Sequence, residues 1–287
     1  EINFWDGGAI LSTHQEFQGG PGTRIEMRNK GLSVSNHSTH VAGTAAATGV
    51  VPNARGMAGK AMVYGWDFSN DLAEMAIAAA DGMVLSNHSY GSLTGWYHNS
   101  TYNMWYWYGD PELSESTDYE FGFYNQVSAD LDFIAWSAPQ YLMVKSAGND
   151  RGEAPDNQPL THMVWENNWV SSSVVRDADG GTEGYDCLTP KSVAKNILTI
   201  GAVDDLGSMT SFSGFGPTDD GRIKPDLVAN GTTIYSTIGS SSTDYGTYNG
   251  TSMAAASVTG SLALLYQLQQ IHQPGVTLNS STMKGLL

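Results

Sequence analysis

Apolar and polar positions along the chain switch repeatedly between a strand-like and a helix-like period. Ile2 to Trp5 is an apolar run stopped by Asp6-Gly7-Gly8, which predicts a strand ending in a turn. His37 to Thr48, rich in small residues, predicts a helix. Further strands are predicted over Ala61 to Trp66, Met83 to Asn87, Tyr141 to Lys145 and Ile197 to Val203. Helical spacing recurs over Asp71 to Ala80, led by Asn70 as a candidate cap, and over Asp130 to Trp136. Val258, Leu262, Leu265, Leu268 and Ile271 fall on one face of a long helix predicted over Met253 to Ile271. Strands alternating with helices predict an α/β fold of three layers, a mostly parallel central sheet flanked by helices.

In such sheets ligands bind beyond the carboxyl ends of the strands. The residues there are Asp6-Gly7-Gly8, His88-Ser89-Tyr90-Gly91 and Ser146-Ala147-Gly148-Asn149, all polar or glycine-rich. Residues 93 to 125 interrupt the pattern with Trp and Tyr and then with acidic residues. They predict an ordered surface excursion between a strand and a helix. Its aromatics either pack on the body of the domain or wall a cleft.

Composition narrows the function classes. The 287 residues carry a formal net charge of −16, which disfavours nucleic acid because phosphate binding needs clustered Lys and Arg. No apolar run approaches the roughly 20 residues of a membrane span, so no membrane insertion is expected. Cys187 stands alone, so no internal disulfide is possible. Glu1 in place of Met, with no charged-then-apolar leader after it, predicts a mature or shortened chain.

Three blocks carry candidate chemistry. In Asn249-Gly250-Thr251-Ser252-Met253-Ala254 a glycine turn leads into a helix with a serine in its first turn. Such a serine is either a helix cap or a nucleophile, and a nucleophile needs a base to take its proton. The helix N-terminus offers free N–H groups suited to a developing oxyanion. In His37-Ser38-Thr39-His40-Val41-Ala42-Gly43-Thr44 the first histidine opens a small-residue helix. His37 and His40 lack the four-residue spacing and neighbouring Glu of a helical metal pair. Asp6 follows a short strand, where a carboxylate can fix a histidine tautomer.

Together these blocks resemble the signature regions of the subtilisin-like serine peptidases, and the resemblance covers nearly the whole chain. His37 to Thr44 is similar to the family's histidine region, with Ser38 where glycine is usual. Gly250 to Ala254 is similar to the serine region, and the order Asp, His, Ser is that of subtilisin. Ser146 to Asn149 resembles the strand end that supplies the oxyanion asparagine, and Ser89 to Gly91 the edge that pairs with substrate backbone. The Asp6 block is a weaker match, because Gly7 replaces the usual hydroxyl residue.

The resemblance implies a single subtilisin-like peptidase domain over residues 1–287, with both ends shorter than in relatives. It implies Asp6, His37 and Ser252 as catalytic residues and Asn149 as the oxyanion-hole side chain. Ser89, Tyr90, Gly91, Ala147, Gly148 and Asp150 are then expected to bind substrate. Asp150 there favours a basic substrate side chain unless Arg151 neutralises it. Protein or peptide substrates, a propeptide outside this chain and an extracellular location are further implications. No cofactor is expected for catalysis. Structural calcium is an expectation from the family, with Asp177-Ala178-Asp179-Gly180 and Asp219-Asp220-Gly221 the best stretches, either of which is equally a plain Asp/Gly turn. Ala256 stands where the family has proline. That departure opens a second reading, a peptide ligase on the same scaffold; a third, a catalytically silent binding relative, is opposed by the intact Asp6, His37, Ser252 and Asn149.

Overall fold

The computed structural model describes residues 1–19 and 22–287. Its centre is a seven-stranded sheet in the order Leu227–Asn230, Leu198–Val203, Leu142–Ser146, Leu85–His88, Ile2–Asp6, Val63–Asp67 and Ile25–Met27. Every pairing in it is parallel. Both faces of the inner strands are covered. Ile2–Asp6 and Leu142–Ser146 are therefore buried at every position, as parallel strands between helical layers must be.

The helices are α1 (Asn36–Ala46), α2 (Asp71–Ala80), α3 (Gln126–Ser137), α4 (Thr251–His272) and α5 (Ser280–Leu286). Side chains alternate along each strand, so one face of the sheet sends Ile2, Phe4, Leu142 and Val144 against α1 and α4. The other sends Trp5, Tyr141 and Met143 against α2 and α3. The small residues of α1 let it approach α4 closely: a Cβ on Gly260 of α4 would lie 2.8 Å from the Ala45 carbonyl oxygen of α1. The expected three-layer fold is present.

Several boundaries differ from expectation for local reasons. Asn70 precedes α2 but makes no side-chain cap; the Asp71 carboxylate takes the Leu72 N–H instead. α3 begins four residues earlier than predicted because Asn125 caps it, accepting from Val127 N and Ser128 N. The predicted face of α4 is buried only in its first half. Val258 and Leu262 are covered, whereas Leu268 and Ile271 are exposed.

The aromatic excursion forms a second sheet. Trp96–Asn99 and Met104–Trp107 pair as a hairpin, and Met104–Trp107 runs parallel to His162–Trp165, which pairs with Trp169–Ser172. Trp96, Trp107 and Val164 build a separate small core there. The aromatics thus neither pack into the main core nor form the cleft wall as a group.

Candidate active site

In this sheet the strand order turns back between Ile2–Asp6 and Leu85–His88, so a crevice opens past the carboxyl ends of those two strands. Asp6 closes the first strand, and Ser89 follows the second. Leu142–Ser146 brings Gly148 and Asn149 to the same edge, and α1 and α4 each begin beside it.

His37 lies in the first turn of α1, whose start is fixed by Ser35: its side chain accepts the Ser38 N–H. The His37 Nδ1 stands 2.9 Å from each oxygen of the buried Asp6 carboxylate, and its hydrogen bond is directed to Oδ1. Gly7 N donates to the same Oδ1 at 2.7 Å. Among the described residues no other donor reaches Oδ2. With Nδ1–H given to the carboxylate, Nε2 keeps its lone pair. Burial pushes the His37 pKa down, but the hydrogen bond and charge of Asp6 outweigh it, and the net shift is upward. A Cβ on Gly7 would lie 2.8 Å from Cε1 of the exposed Phe68 ring, so a larger residue there requires that ring to turn aside.

Ser252 is the second residue of α4 and is 7 % exposed. Its Oγ donates to Ser89 O at 3.2 Å, while Ser89 Oγ donates to Ser252 O at 3.0 Å. Among the described residues no hydrogen bond joins Ser252 to His37. The helix runs unbroken through Ala256, which is fully buried.

Thr251 ties the helix start to the neighbouring strand end. Asn149 Oδ1 accepts from Thr251 N at 2.9 Å and from Thr251 Oγ1 at 3.0 Å. Gly148 N donates to Thr251 Oγ1 at 3.2 Å. The Asn149 oxygen is thereby fully engaged, and its Nδ2 faces the helix start with donors to spare. Ser89, Tyr90, Gly91, Gly148, Asn149 and Asp150 line one cavity of about 200 Å³ together with Ser252. Ala147 does not line it; its side chain is fully buried against Leu188 and Val193. Arg151 does not neutralise Asp150. It turns to the Thr210 carbonyl and stacks over Phe215.

Other polar residues considered in the sequence are held by contacts within the fold. His40 is buried, bonded through Nε2 to the Ile234 and Gly246 carbonyls and stacked on Tyr248. Burial pushes its pKa down to about 4, so it stays neutral. Burial pushes the Cys187 thiol up to about 11, which keeps it protonated. Of the acidic turns, the Asp179 carboxylate accepts from Trp96 N, and Asp220 is held by Thr218 and Arg222. Among the described residues no three His, Cys, Asp or Glu side chains come together as a cation site.

Sequence reasoning missed the polar packing behind Tyr90. The Tyr90 hydroxyl donates to Asp71 Oδ2 at 2.7 Å and meets His88 Nδ1 at 3.1 Å. His88 Nε2 in turn meets Ser86 Oγ at 2.6 Å, which meets the Tyr141 hydroxyl at 2.6 Å. Burial pushes His88 down to about 3, so it is neutral and acts as a spacer in this chain. The chain fixes the Tyr90 ring as a wall of the cavity. Lys145 and Thr189 also line it.

Comparison with known proteins bears on the family and the fold. A model of the subtilase family matches residues 15–287, a span that leaves Asp6 outside. The serine protease AprX of Bacillus subtilis (strain 168) is 34 % identical over 152 residues, covering 45 % of this chain and 34 % of AprX. The thermophilic serine proteinase of Bacillus sp. (strain AK1) is 37 % identical over 97 residues, covering 34 % of this chain and 22 % of that protein. The match thus spans about a third or less of the length of these two relatives. Among solved structures, the Clostridium perfringens CspB protease superposes with a TM-score of 0.71 at 16 % identity, covering 100 % of this chain and 87 % of that one. The self-cleaved protease domain of PatA gives 0.63 at 21 % identity, covering 100 % and 86 %. With a parallel sheet of the same architecture and a family match over nearly its whole length, this chain belongs to the subtilase family.

Proposed function

We propose that the chain is a serine endopeptidase that cleaves protein or peptide substrates through an acyl-enzyme on Ser252. The observation that carries this reading is the Asp6–His37 pair, with Nδ1 committed to the carboxylate, at the crevice where α4 presents Ser252. His37 Nε2 takes the Ser252 proton as Oγ bonds to the substrate carbonyl carbon. The carbonyl electron pair moves to oxygen, where the Asn149 Nδ2 and the α4 N-terminus stabilise it. The electron pair returns, the C–N bond breaks, and His37 hands its proton to the leaving amine. Water then repeats the sequence on the ester, releasing the acid and restoring Ser252. In the resting protein Ser252 Oγ rests on Ser89 O, and substrate backbone entering along Ser89–Gly91 frees it to turn to His37. Labelling with a fluorophosphonate tests the reading: the adduct is expected on Ser252, and an unlabelled Ser252 in folded protein overturns it.

Asn149→Leu is expected to lower kcat by about 10²–10³-fold with KM nearly unchanged, a magnitude established on subtilisin and carried over. Its amide acts on charge that exists only in the transition state. An effect confined to KM contradicts this role.

A second reading, acyl transfer to an amine in place of water, is favoured by two observations: α4 is unbroken at Ala256, and Ser252 bonds Ser89 rather than His37. A proline at 256 lacks the N–H that bonds the Ser252 carbonyl and crowds that carbonyl, so it would hold the serine out of the helix. Misplacement by about 1 Å can cost about 10²-fold in rate. Amides suffer more than esters, because their leaving group needs a proton from His37. Ala256→Pro is therefore expected to raise amide relative to ester hydrolysis and to lower capture of the acyl-enzyme by an added peptide amine. Equal amide-to-ester ratios in the two proteins remove the basis for this reading.

A further inference from the structure

Leu142–Ser146 is buried at every position, yet its fourth residue is Lys145. The side chain is on the same sheet face as Tyr141 and Met143, and it ends at the cavity beside Ser252. Lys145 is 3 % exposed. Its Nζ donates to Ser146 O at 3.0 Å and to Ser146 Oγ at 3.1 Å, and it lies 5.7 Å from the centre of the Tyr90 ring. An ammonium has three donors, and neither of these partners is an anion. Among the described residues no carboxylate comes within ion-pairing distance of it.

The carboxylates nearby are engaged elsewhere. Asp71 is taken by the Tyr90 hydroxyl and by Lys191, whose ammonium lies 4.9 Å from the centre of the Tyr90 ring. Asp150 folds back on the strand end: its Oδ2 is 2.8 Å from where a Cβ on Gly148 would stand, and Gly148 holds a φ of +108°. Burial raises Asp150 to about 6 and, with the Lys191 charge, lowers Lys145 to about 7. Both shifts are set first by burial, which the attraction between the two charges offsets only in part. A buried ammonium in this state gains most from a carboxylate that arrives with its own hydrogen-bond acceptors. A basic side chain in the same cavity would instead meet the Lys145 ammonium, with the Asp150 carboxyl as its competing partner.

We propose that Lys145 makes the cavity beside Ser252 a subsite for an acidic side chain, so that the protein cleaves after Glu or Asp. This inference rests on the peptidase reading. Lys145 and Asp150 line the same cavity with opposite charges, and this inference sets selection of an acidic residue by Lys145 against the expectation that Asp150 selects a basic one. Lys145 acts on specificity by contact with the substrate and takes no part in the proton transfers.

The test is a set of peptides differing only in the residue before the scissile bond: Glu, Asp, Gln, Ala or Lys. Wild-type kcat/KM for Glu is expected to exceed that for Gln, its neutral isostere, by about tenfold or more, with Lys poorest. Lys145→Met is expected to bring the Glu-to-Gln ratio to about one, and Lys145→Arg to keep it above one. Should Lys145→Met fail to fold, the wild-type series and Asp150→Asn decide. Asp150→Asn is expected to widen the Glu-to-Lys ratio, because the competing carboxyl is gone. Equal cleavage after Glu and Gln, or faster cleavage after Lys, overturns the inference while leaving the peptidase reading standing if the Ala peptide is cut. Failure to cut any of the peptides, with Ser252 unlabelled by fluorophosphonate, overturns both.

Discussion

Ser252→Ala is expected to yield a folded protein whose peptide cleavage is reduced by about 10⁶-fold, a size established on subtilisin and carried over to this relative. The loss is large because no other group at the crevice replaces the bond-forming oxygen. Asp6, His37 and Asn149 orient and stabilise, but only Oγ attacks. The structural cost is small for a stated reason. Removing Oγ deletes one hydrogen bond, to Ser89 O, worth about 0.5–1.5 kcal/mol. The reverse bond, from Ser89 Oγ to the Ser252 carbonyl, uses backbone and survives. Melting temperature should therefore stay within a few degrees of wild type while turnover and fluorophosphonate labelling both vanish. Substantial cleavage by purified Ser252→Ala would show that the nucleophile lies elsewhere.

Asp6→Asn should cost about 10⁴-fold in kcat, as loss of the same carboxylate does in the serine-protease triad generally. The geometry explains why an isosteric change is so damaging. Gly7 N–H already donates to Oδ1, so an asparagine keeps its oxygen there and turns its Nδ2 toward His37 Nδ1. That amide donates where the carboxylate accepted. The imidazole then moves its proton to Nε2, and no base faces Ser252. The pH profile supplies a second signature. Activity needs neutral His37 and falls as pH drops through its pKa. Burial lowers that pKa and Asp6 more than restores it, so wild type loses activity from above the ordinary histidine value of about 6.5. Without the carboxylate the residual activity should persist to lower pH. A loss under tenfold, or an unmoved acid limb, would contradict the assignment of Asp6.

The candidate catalytic side chains were legible in the sequence because their chemistry needs fixed neighbours. A histidine opening a helix of small residues, and a serine after a glycine turn, are local patterns. Asp6 was also readable, although the family match begins only at residue 15. The largest part of what escaped was set by contacts between distant segments. The pairing of Trp96–Asn99 and Met104–Trp107 with His162–Trp165 and Trp169–Ser172 joins stretches some 60 residues apart, and neither stretch shows strand periodicity by itself. The start of α3 depended on one asparagine side chain, Asn125. Lys145 carries a signal of its own: a charge inside an otherwise apolar strand has to meet something, and here it meets the cavity.

The double grip of Thr251 on Asn149 has a mechanical consequence. The proposed nucleophile and oxyanion donor are tied directly to each other, since α4 carries Ser252 and its first residue clamps the Asn149 amide beside it. The proposed base is tied to the same sheet through a different strand, because His37 on α1 is latched to Asp6 while Asn149 follows Leu142–Ser146. The two helices that carry them meet at the α1–α4 contact, where Gly260 lies against Ala45. Any strain that slides one helix past the other alters the reach from imidazole to hydroxyl and leaves the hydroxyl-to-amide spacing alone. Wear on this protein, from substitution or from heat, would then fall first on proton transfer, while its hold on the developing oxyanion outlasts it.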